Sequence, residues 1–386
     1  MVHHPIVSAD DHIDMQAIPP NLFRDRLPAR YRDECPQVRQ TPNGNYWFGE
    51  GAAWPFFSGT SSGRLPLPDA YTRAGLEDDG FRASNPKLRM QDMDRDGISA
   101  QVIYGPVRGF PLQNMELKAA TLQVFNDWAM DFNSASPHRL CMLPILPMHS
   151  PQAAAEELQR CARIGHRGAL VSIYEASIPI CEIDWEPLWD CAEDVELPLS
   201  FHLAEGTWLF KSALGRWRSS GVRTEGSQVF KSMTGSWRSP AFATVIPMQM
   251  DEALVGMVFC GALERHPKLR LVLAEGGIGW IPHILERMDA EFIKFRDMIK
   301  DVRLTMTPKE VFKRQVMVTF QEDALASLVI PMIGSANVMW ASDFPHPDGT
   351  FPNSLEAVEH AVKGLDQQTR SRVTYENAAS LFKLRP

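Results

Sequence analysis

The stretch that most constrains this chain is an apolar run near its C-terminal end that stops abruptly, Asn337-Val-Met-Trp-Ala-Ser-Asp343-Phe-Pro-His346. It reads as a buried strand ending at Asp343, because Pro345 and Pro347 lack the backbone N–H that a ladder needs. Three other strand-like runs end in the same manner: Ile6 to His12, which closes on Asp10-Asp-His12, Leu197 to His202, and Leu269 to Gly277, which carries Glu275. Core packing gives no reason to finish four strands on carboxylates and imidazoles. A parallel barrel does, because it gathers the C-terminal tips of its strands around one axis, the usual place for chemistry. The four ends read as one site.

The rest of the chain fits that architecture. Alternation puts Ile6, Ser8, Asp10 and His12 on one face of the first strand, the face that looks into a barrel lumen. From Asn85 onward strands and helices alternate. Strands are expected at Ala100–Gly105, Cys141–Pro147, Arg167–Ile173, Leu197–His202, Leu269–Glu275, Gln315–Phe320 and Val338–Ser342. Helices are expected at Pro86–Asp96, Glu116–Phe132, Pro151–Ile164, Trp185–Val195, Met248–Glu264 and Pro282–Lys300, with a helical tail over Leu355–Leu384. Eight strands with intervening helices is the count of a (β/α)8 TIM barrel. No linker divides the 386 residues, so 1–386 reads as a single domain with long irregular insertions after the first and fifth strands.

The first insertion, about 15–85, shows no period but is rich in aromatics, with Trp54 and Phe56 in Trp-Pro-Phe-Phe. Loops of this length are usually functional or disordered, and the aromatics argue against disorder. It is either a substrate-covering loop or an ordered flap against another subunit. The second insertion, about 204–240, contains a near-repeat: Phe210-Lys-Ser-Ala-Leu-Gly-Arg-Trp-Arg-Ser219 returns as Phe230-Lys-Ser-Met-Thr-Gly-Ser-Trp-Arg-Ser239. It is basic, and it follows the strand that carries His202. As a lid it brings Arg216 and Trp217 to an anionic substrate; as a solvated hairpin or subunit contact it carries no chemistry.

Composition excludes several classes. A formal net charge of −8 gives no support for nucleic acid as a partner. No apolar run approaches the roughly 18 residues that span a bilayer, and Met-Val-His-His-Pro lacks the parts of a signal peptide, so the expectation is a cytoplasmic protein with no membrane partner. The six cysteines form no CxxC pair and are assigned no role. There is no Gly-x-Ser-x-Gly elbow, P-loop or Gly-x-Gly-x-x-Gly after a strand. His266, at a helix end, reads as structural, and His138, His149, His166, His283 and His360 are given no role.

Nitrogen and carboxylate donors from different strands suit zinc or a similar divalent ion, with one position open in a catalytic site. Asp343 is the candidate to take the proton that leaves a metal-activated water, whose pKa falls from ~16 toward ~7. Glu275 precedes Gly276 and Gly277 and is a ligand, an acid/base, or a carboxylate paired with an arginine. His346 lies at the mouth as a substrate contact or support.

These residues together resemble the amidohydrolase superfamily, within it the amidohydrolase-2 group related to aminocarboxymuconate-semialdehyde decarboxylase. The resemblance runs nearly end to end and rests on Asp10-Asp-His12, Phe201-His202, Glu264-Arg-His-Pro-Lys-Leu-Arg-Leu-Val-Leu-Ala-Glu-Gly-Gly-Ile-Gly-Trp280 and Ser342-Asp-Phe-Pro-His346. It implies one divalent metal at the C-terminal face, Zn2+ first and Mn2+ or Fe2+ as alternatives, held at Asp10, His12, His202 and Asp343. Members of the group decarboxylate aromatic or dienoic acids or hydrolyse C–C or C–N bonds, and the group's habit implies a homodimer. Two positions depart from the pattern. The first motif is usually His-x-His or Glu-x-His and is Asp10-x-His12 here; a catalytic His before the Gly-Gly pair is Glu275 here. The leading expectation is a metal-dependent hydrolase acting on a small aromatic, anionic substrate, with Asp343, Glu275 and His346 catalytic. The alternatives are a non-oxidative decarboxylase, with Glu275 protonating carbon, a cyclising or dehydrating biosynthetic enzyme, and a non-catalytic barrel that binds a small molecule.

Overall fold

A computed structural model of the protein describes residues 4–42, 44–58, 70–107, 109–173, 175–203, 244 and 246–386. Eight short parallel strands form the frame: β1 (Val7–His12), β5 (Ala100–Tyr104), β6 (Leu140–Met142), β7 (Ala169–Val171), β8 (Leu199–His202), β9 (Leu271–Ala274), β10 (Val316–Phe320) and β11 (Val338–Trp340). They pair as β1-β5-β6 and β7-β8-β9-β10-β11. Backbone hydrogen bonds span both seams between these ladders. Leu170 N–H donates to Pro144 O at 2.8 Å and Leu146 N–H to Leu170 O at 3.1 Å on one side; Asp343 N–H donates to Asp10 O at 2.9 Å and His12 N–H to Phe344 O at 2.6 Å on the other. The strands are apolar and buried because both faces are covered, by lumen packing inside and by helices outside.

The expected strands are all present and mostly shorter. The helix Pro86–Asp96 has the expected bounds, with the Asn85 side chain accepting from Lys87 and Leu88 N–H groups and Gly97 closing it at φ 75°. The expected helix Met248–Glu264 is instead two, Met250–Phe259 and Ala262–Arg265. Gly261, at φ 76°, separates them, and a Cβ there would lie 2.4 Å from Val302. The tail is a series of short helical turns rather than one helix.

The first insertion is not irregular throughout. β2 (Gln37–Thr41), β3 (Gly44–Gly49) and β4 (Ala52–Ser58) make an antiparallel meander. β2 holds one apolar residue, Val38, opposite the buried Trp47, so its sequence shows no period. The β3–β4 turn uses Glu50 and Gly51, both at positive φ (51° and 75°), the backbone of a two-residue hairpin loop. The Glu50 carboxylate accepts from Gln113 and Asn114 N–H at 2.6 and 2.7 Å and ties the meander to the start of the helix Met115–Ser134. The second insertion lies outside the described residues. Among the described residues no helix is long and apolar enough to cross a membrane.

Candidate functional site

Strand ends bring the expected side chains together. Asp10 and His12 leave β1 on the same face; His202 ends β8; Glu275 and Asp343 follow β9 and β11. Asp10 Oδ1 lies 3.1 Å from His202 Nε2 and 3.4 Å from His12 Nε2, and His12 Nε2 lies 3.1 Å from Asp343 Oδ1. Glu275 Oε2 is 3.5 Å from His202 Nε2. The His12 and His202 rings meet edge to face at 4.9 Å between centroids. Ligand atoms of Asp10, His12 and His202 fall within 4.8 Å of one another, and so do those of His12, Glu275 and Asp343.

Both acidic tips have unusual backbones. Glu275 sits at φ 59° and Asp343 at φ 57°, a left-handed conformation that costs a non-glycine residue about 1–2 kcal/mol. Such conformations persist where the surroundings over-determine them and concentrate at functional sites. Glu275 N–H donates to Thr319 Oγ1 at 2.8 Å, and that hydroxyl donates to Asp10 Oδ2 at 3.3 Å. One threonine of β10 thereby ties the Glu275 backbone to the Asp10 carboxylate.

The donor set fits a divalent cation. His12 Nε2 is buried and makes no hydrogen bond; it lies 3.1 Å from Asp343 Oδ1, an oxygen that His346 Nδ1 also approaches to 2.9 Å. Orphaned buried polar atoms are costly, and a shared cation removes that cost. His202 Nδ1 donates to the Leu203 carbonyl at 2.5 Å, which fixes the ring and leaves Nε2 for the site, as ligating histidines usually require. Imidazole with carboxylate oxygen suits zinc, manganese or iron.

The charges sort into two kinds. Burial pulls the Asp10 carboxyl upward, but His202 and His12 outweigh it and hold Asp10 well below the usual carboxylate range. Asp343 is held down against burial by His346 and His12. Glu275 goes the other way: burial and the neighbouring Asp343 charge push it well above its ordinary value. So the two neighbouring carboxyls are pushed in opposite directions, Asp343 toward its ionised form and Glu275 toward its protonated form. His346 Nδ1 lies 2.9 Å from Asp343 Oδ1 and its Nε2 lies 3.2 Å from Asp14 Oδ2. These two carboxylates raise the His346 imidazole well above its ordinary value, against burial. Its ring stacks on His12 at 4.1 Å.

Several groups were missed in the sequence. Asp14 continues the alternation of Asp10 and His12 by two residues, so the same period marks it. Tyr104, 4.6 Å from the His202 ring, donates to Ser200 Oγ at 3.1 Å and forms the floor; a tyrosine on an inner strand gives no such signal. Of the four residues expected to touch substrate, Trp54 is 4% exposed and packs on Gly49 and toward Phe110 at 6.5 Å, as part of the core. The Phe56 side chain, Arg216 and Trp217 lie outside the described residues.

A family model described as "Amidohydrolase" matches residues 13–384. The chain belongs to the amidohydrolase family. Among curated relatives, gamma-resorcylate decarboxylase of Rhodococcus jostii (strain RHA1) is 26% identical over 323 residues, 77% of this chain and 87% of that protein. The 2-amino-3-carboxymuconate-6-semialdehyde decarboxylase of Dictyostelium discoideum is 24% identical over 307 residues, 78% of this chain and 77% of that protein. Among solved structures, 5-carboxyvanillate decarboxylase from Novosphingobium aromaticivorans DSM 12444, with bound manganese and 3-methoxy-4-hydroxy-5-nitrobenzoic acid, superposes with a TM-score of 0.66 at 17% identity, covering 99% of this chain and 98% of that one. At that identity the likeness shows the fold, and it agrees with the barrel expected from the strand count.

Proposed function

We propose that this amidohydrolase is a metal-dependent, non-oxidative decarboxylase of a small aromatic acid, in place of the hydrolase that the sequence first suggests. The observation that carries this reading is the split between Glu275 and Asp343. Two neighbouring carboxyl groups whose environments push their proton affinities apart mark an acid and its charged partner. Decarboxylation needs an acid for carbon, the part Glu275 fits; hydrolysis would use the same acid for its leaving group and Asp343 as base, and the relatives weigh for decarboxylation. Glu275, the carboxyl pushed toward its protonated form, is the more open of the two, with 31% of its side chain exposed against 5% for Asp343. The three curated and solved relatives named above are decarboxylases.

Asp10, His12, His202 and Asp343 would hold the divalent ion, whose positive charge supplies Lewis-acid stabilisation for the anionic oxygens of a substrate. Manganese ranks ahead of zinc, because the solved relative carries it. Glu275 delivers its proton to the ring carbon that bears the carboxylate. The bond from that carbon to the carboxyl carbon then breaks, its electron pair returns to the ring, and carbon dioxide leaves. Glu275 regains a proton from water. His346, clamped between Asp343 and Asp14, holds positive charge beside the substrate and fixes the Asp343 carboxylate.

The test is incubation of manganese-loaded protein with ortho-hydroxybenzoic acids in deuterium oxide. The expected result is release of carbon dioxide with one deuterium at the vacated ring carbon. Turnover of aryl amides or esters without carbon dioxide would restore the hydrolase.

A further inference from the structure

Asp11 stands between Asp10 and His12, yet strand alternation turns its side chain to the opposite face of β1. There it is wholly buried, and its Oδ1 accepts two hydrogen bonds: from Ser342 Oγ at 2.5 Å and from Phe344 N–H at 3.0 Å. These donors are the residues immediately before and after Asp343. The main chain around them is held as well. Ser342 N–H donates to Ser8 Oγ at 2.8 Å, Asp343 N–H to Asp10 O at 2.9 Å, and His12 N–H to Phe344 O at 2.6 Å.

A buried arginine braces this clamp from behind. Arg89, fully buried, donates from Nη1 to His12 O at 2.8 Å and from Nε to Gln101 Oε1 at 2.6 Å, and its guanidinium lies 5.0 Å from the centre of the Phe344 ring. It therefore fixes the carbonyl of one candidate ligand and the ring of the residue that follows another.

These bonds meet at a residue whose backbone needs them. Asp343 is left-handed without being glycine, and released from its neighbours it would relax and swing its carboxylate away from His12. We propose that Asp11 is a positioning residue: through Ser342 and Phe344 it holds Asp343 in the conformation that aims its carboxylate at the metal-competent cluster. The proposal rests on the reading of that cluster as a metal centre. A rival account makes Asp11 a tie across the β1–β11 seam, important for stability alone.

Three variants separate the accounts. Asp11→Ala removes the acceptor, Asp11→Asn keeps one oxygen for Ser342 and Phe344, and Ser342→Ala removes one of the two bonds. Manganese affinity is measured by titration calorimetry, and amide exchange over residues 341–345 by mass spectrometry on metal-free protein. The expected result is a manganese affinity about 10–100-fold weaker in Asp11→Ala, the usual loss when the partner of a ligand is removed. It is accompanied by faster exchange around Asp343 and largely recovered in Asp11→Asn. Folded Asp11→Ala with the affinity of the wild type overturns the proposal, even with a lowered melting temperature. Should Asp11→Ala fail to fold, Ser342→Ala decides: weaker affinity at an unchanged melting temperature upholds it, unchanged affinity overturns it. A wild-type protein that takes up neither manganese nor zinc defeats the metal reading by itself. In that case faster exchange in the variants still upholds the clamp on Asp343, and unchanged exchange overturns it.

Discussion

Between the helices Met115–Ser134 and Pro151–Ile164, a buried polar cluster closes on itself. Asn126 Nδ2 donates to Ile145 O at 3.1 Å and to Glu157 Oε1 at 2.7 Å, and its Oδ1 accepts from Ile145 N–H at 2.8 Å. Arg160 bonds Glu157 through Nε and Nη2, both at 2.8 Å, and reaches Asp127 at 2.6 Å. His166 Nε2 donates to the Asn126 carbonyl at 3.0 Å. The mouth of the barrel holds similar residue types on different terms. There, four carboxyl groups crowd three imidazoles, neither nitrogen of His12 has a hydrogen bond, and two backbones are left-handed. The first cluster pairs its polar atoms with protein groups, His166 Nδ1 excepted, and serves as a brace between helix layer and strand. The second is held in place by its surroundings, and its nitrogen and carboxylate donors converge as a divalent cation requires.

The sharpest way to break this contrast is to remove one member of the mouth. His202→Ala should drop bound metal from about one per chain to near zero and slow decarboxylation by at least about 10³-fold, since a cation there is worth several kcal/mol to the transition state. Elemental analysis and a carbon dioxide assay on the same sample check both. Retained metal would place the centre elsewhere. Glu275→Gln should keep the metal and still lose about 10²–10⁴ in kcat, the usual share of a proton donor. Unchanged kcat would take Glu275 out of the chemistry.

The barrel was legible because parallel strands buried on both faces write themselves as apolar runs, and Pro345 and Pro347 mark where one must stop. The site was legible for a related reason: strand tips converge, so Asp10, His12, His202 and Asp343 could be grouped without knowing any distance. What did not show were contacts made across the fold. The Thr319 hydroxyl joining Glu275 to Asp10, and Asp11 joining Ser342 to Phe344, link residues some 44 and 330 positions apart. A threonine on a strand or a second aspartate in Asp-Asp-His looks the same whether or not it has such a partner. β2 failed for another reason: with Val38 its only apolar residue, it has no alternation to read.

At the closed cluster the expected losses are in stability and leave chemistry alone. Asn126→Ala strands the Ile145 N–H and carbonyl, each worth about 1–3 kcal/mol when buried without a partner, while Glu157 Oε1 keeps Arg160 Nη2. A loss of about 2–5 kcal/mol in denaturant titration is expected, with manganese affinity and kcat per folded molecule unchanged. A shift in metal affinity would mean that the two regions are coupled through β6 and β7, and that the contrast between brace and site is too simple.

His166 offers the gentlest probe, through pH. Burial lowers its pKa from 6.5 to about 4, because the imidazolium finds no water there. The folded state therefore binds fewer protons than the unfolded chain between those values. Its contribution is constant above about pH 6.5 and is lost as pH falls toward 4, by about 3 kcal/mol in all. Gln at this position keeps a donor for the Asn126 carbonyl and has nothing to titrate, so the wild-type protein should lose more stability than His166→Gln between pH 7 and pH 4.5. Parallel slopes would mean that His166 is hydrated or already charged in the folded state, and that this cluster, too, admits something from outside.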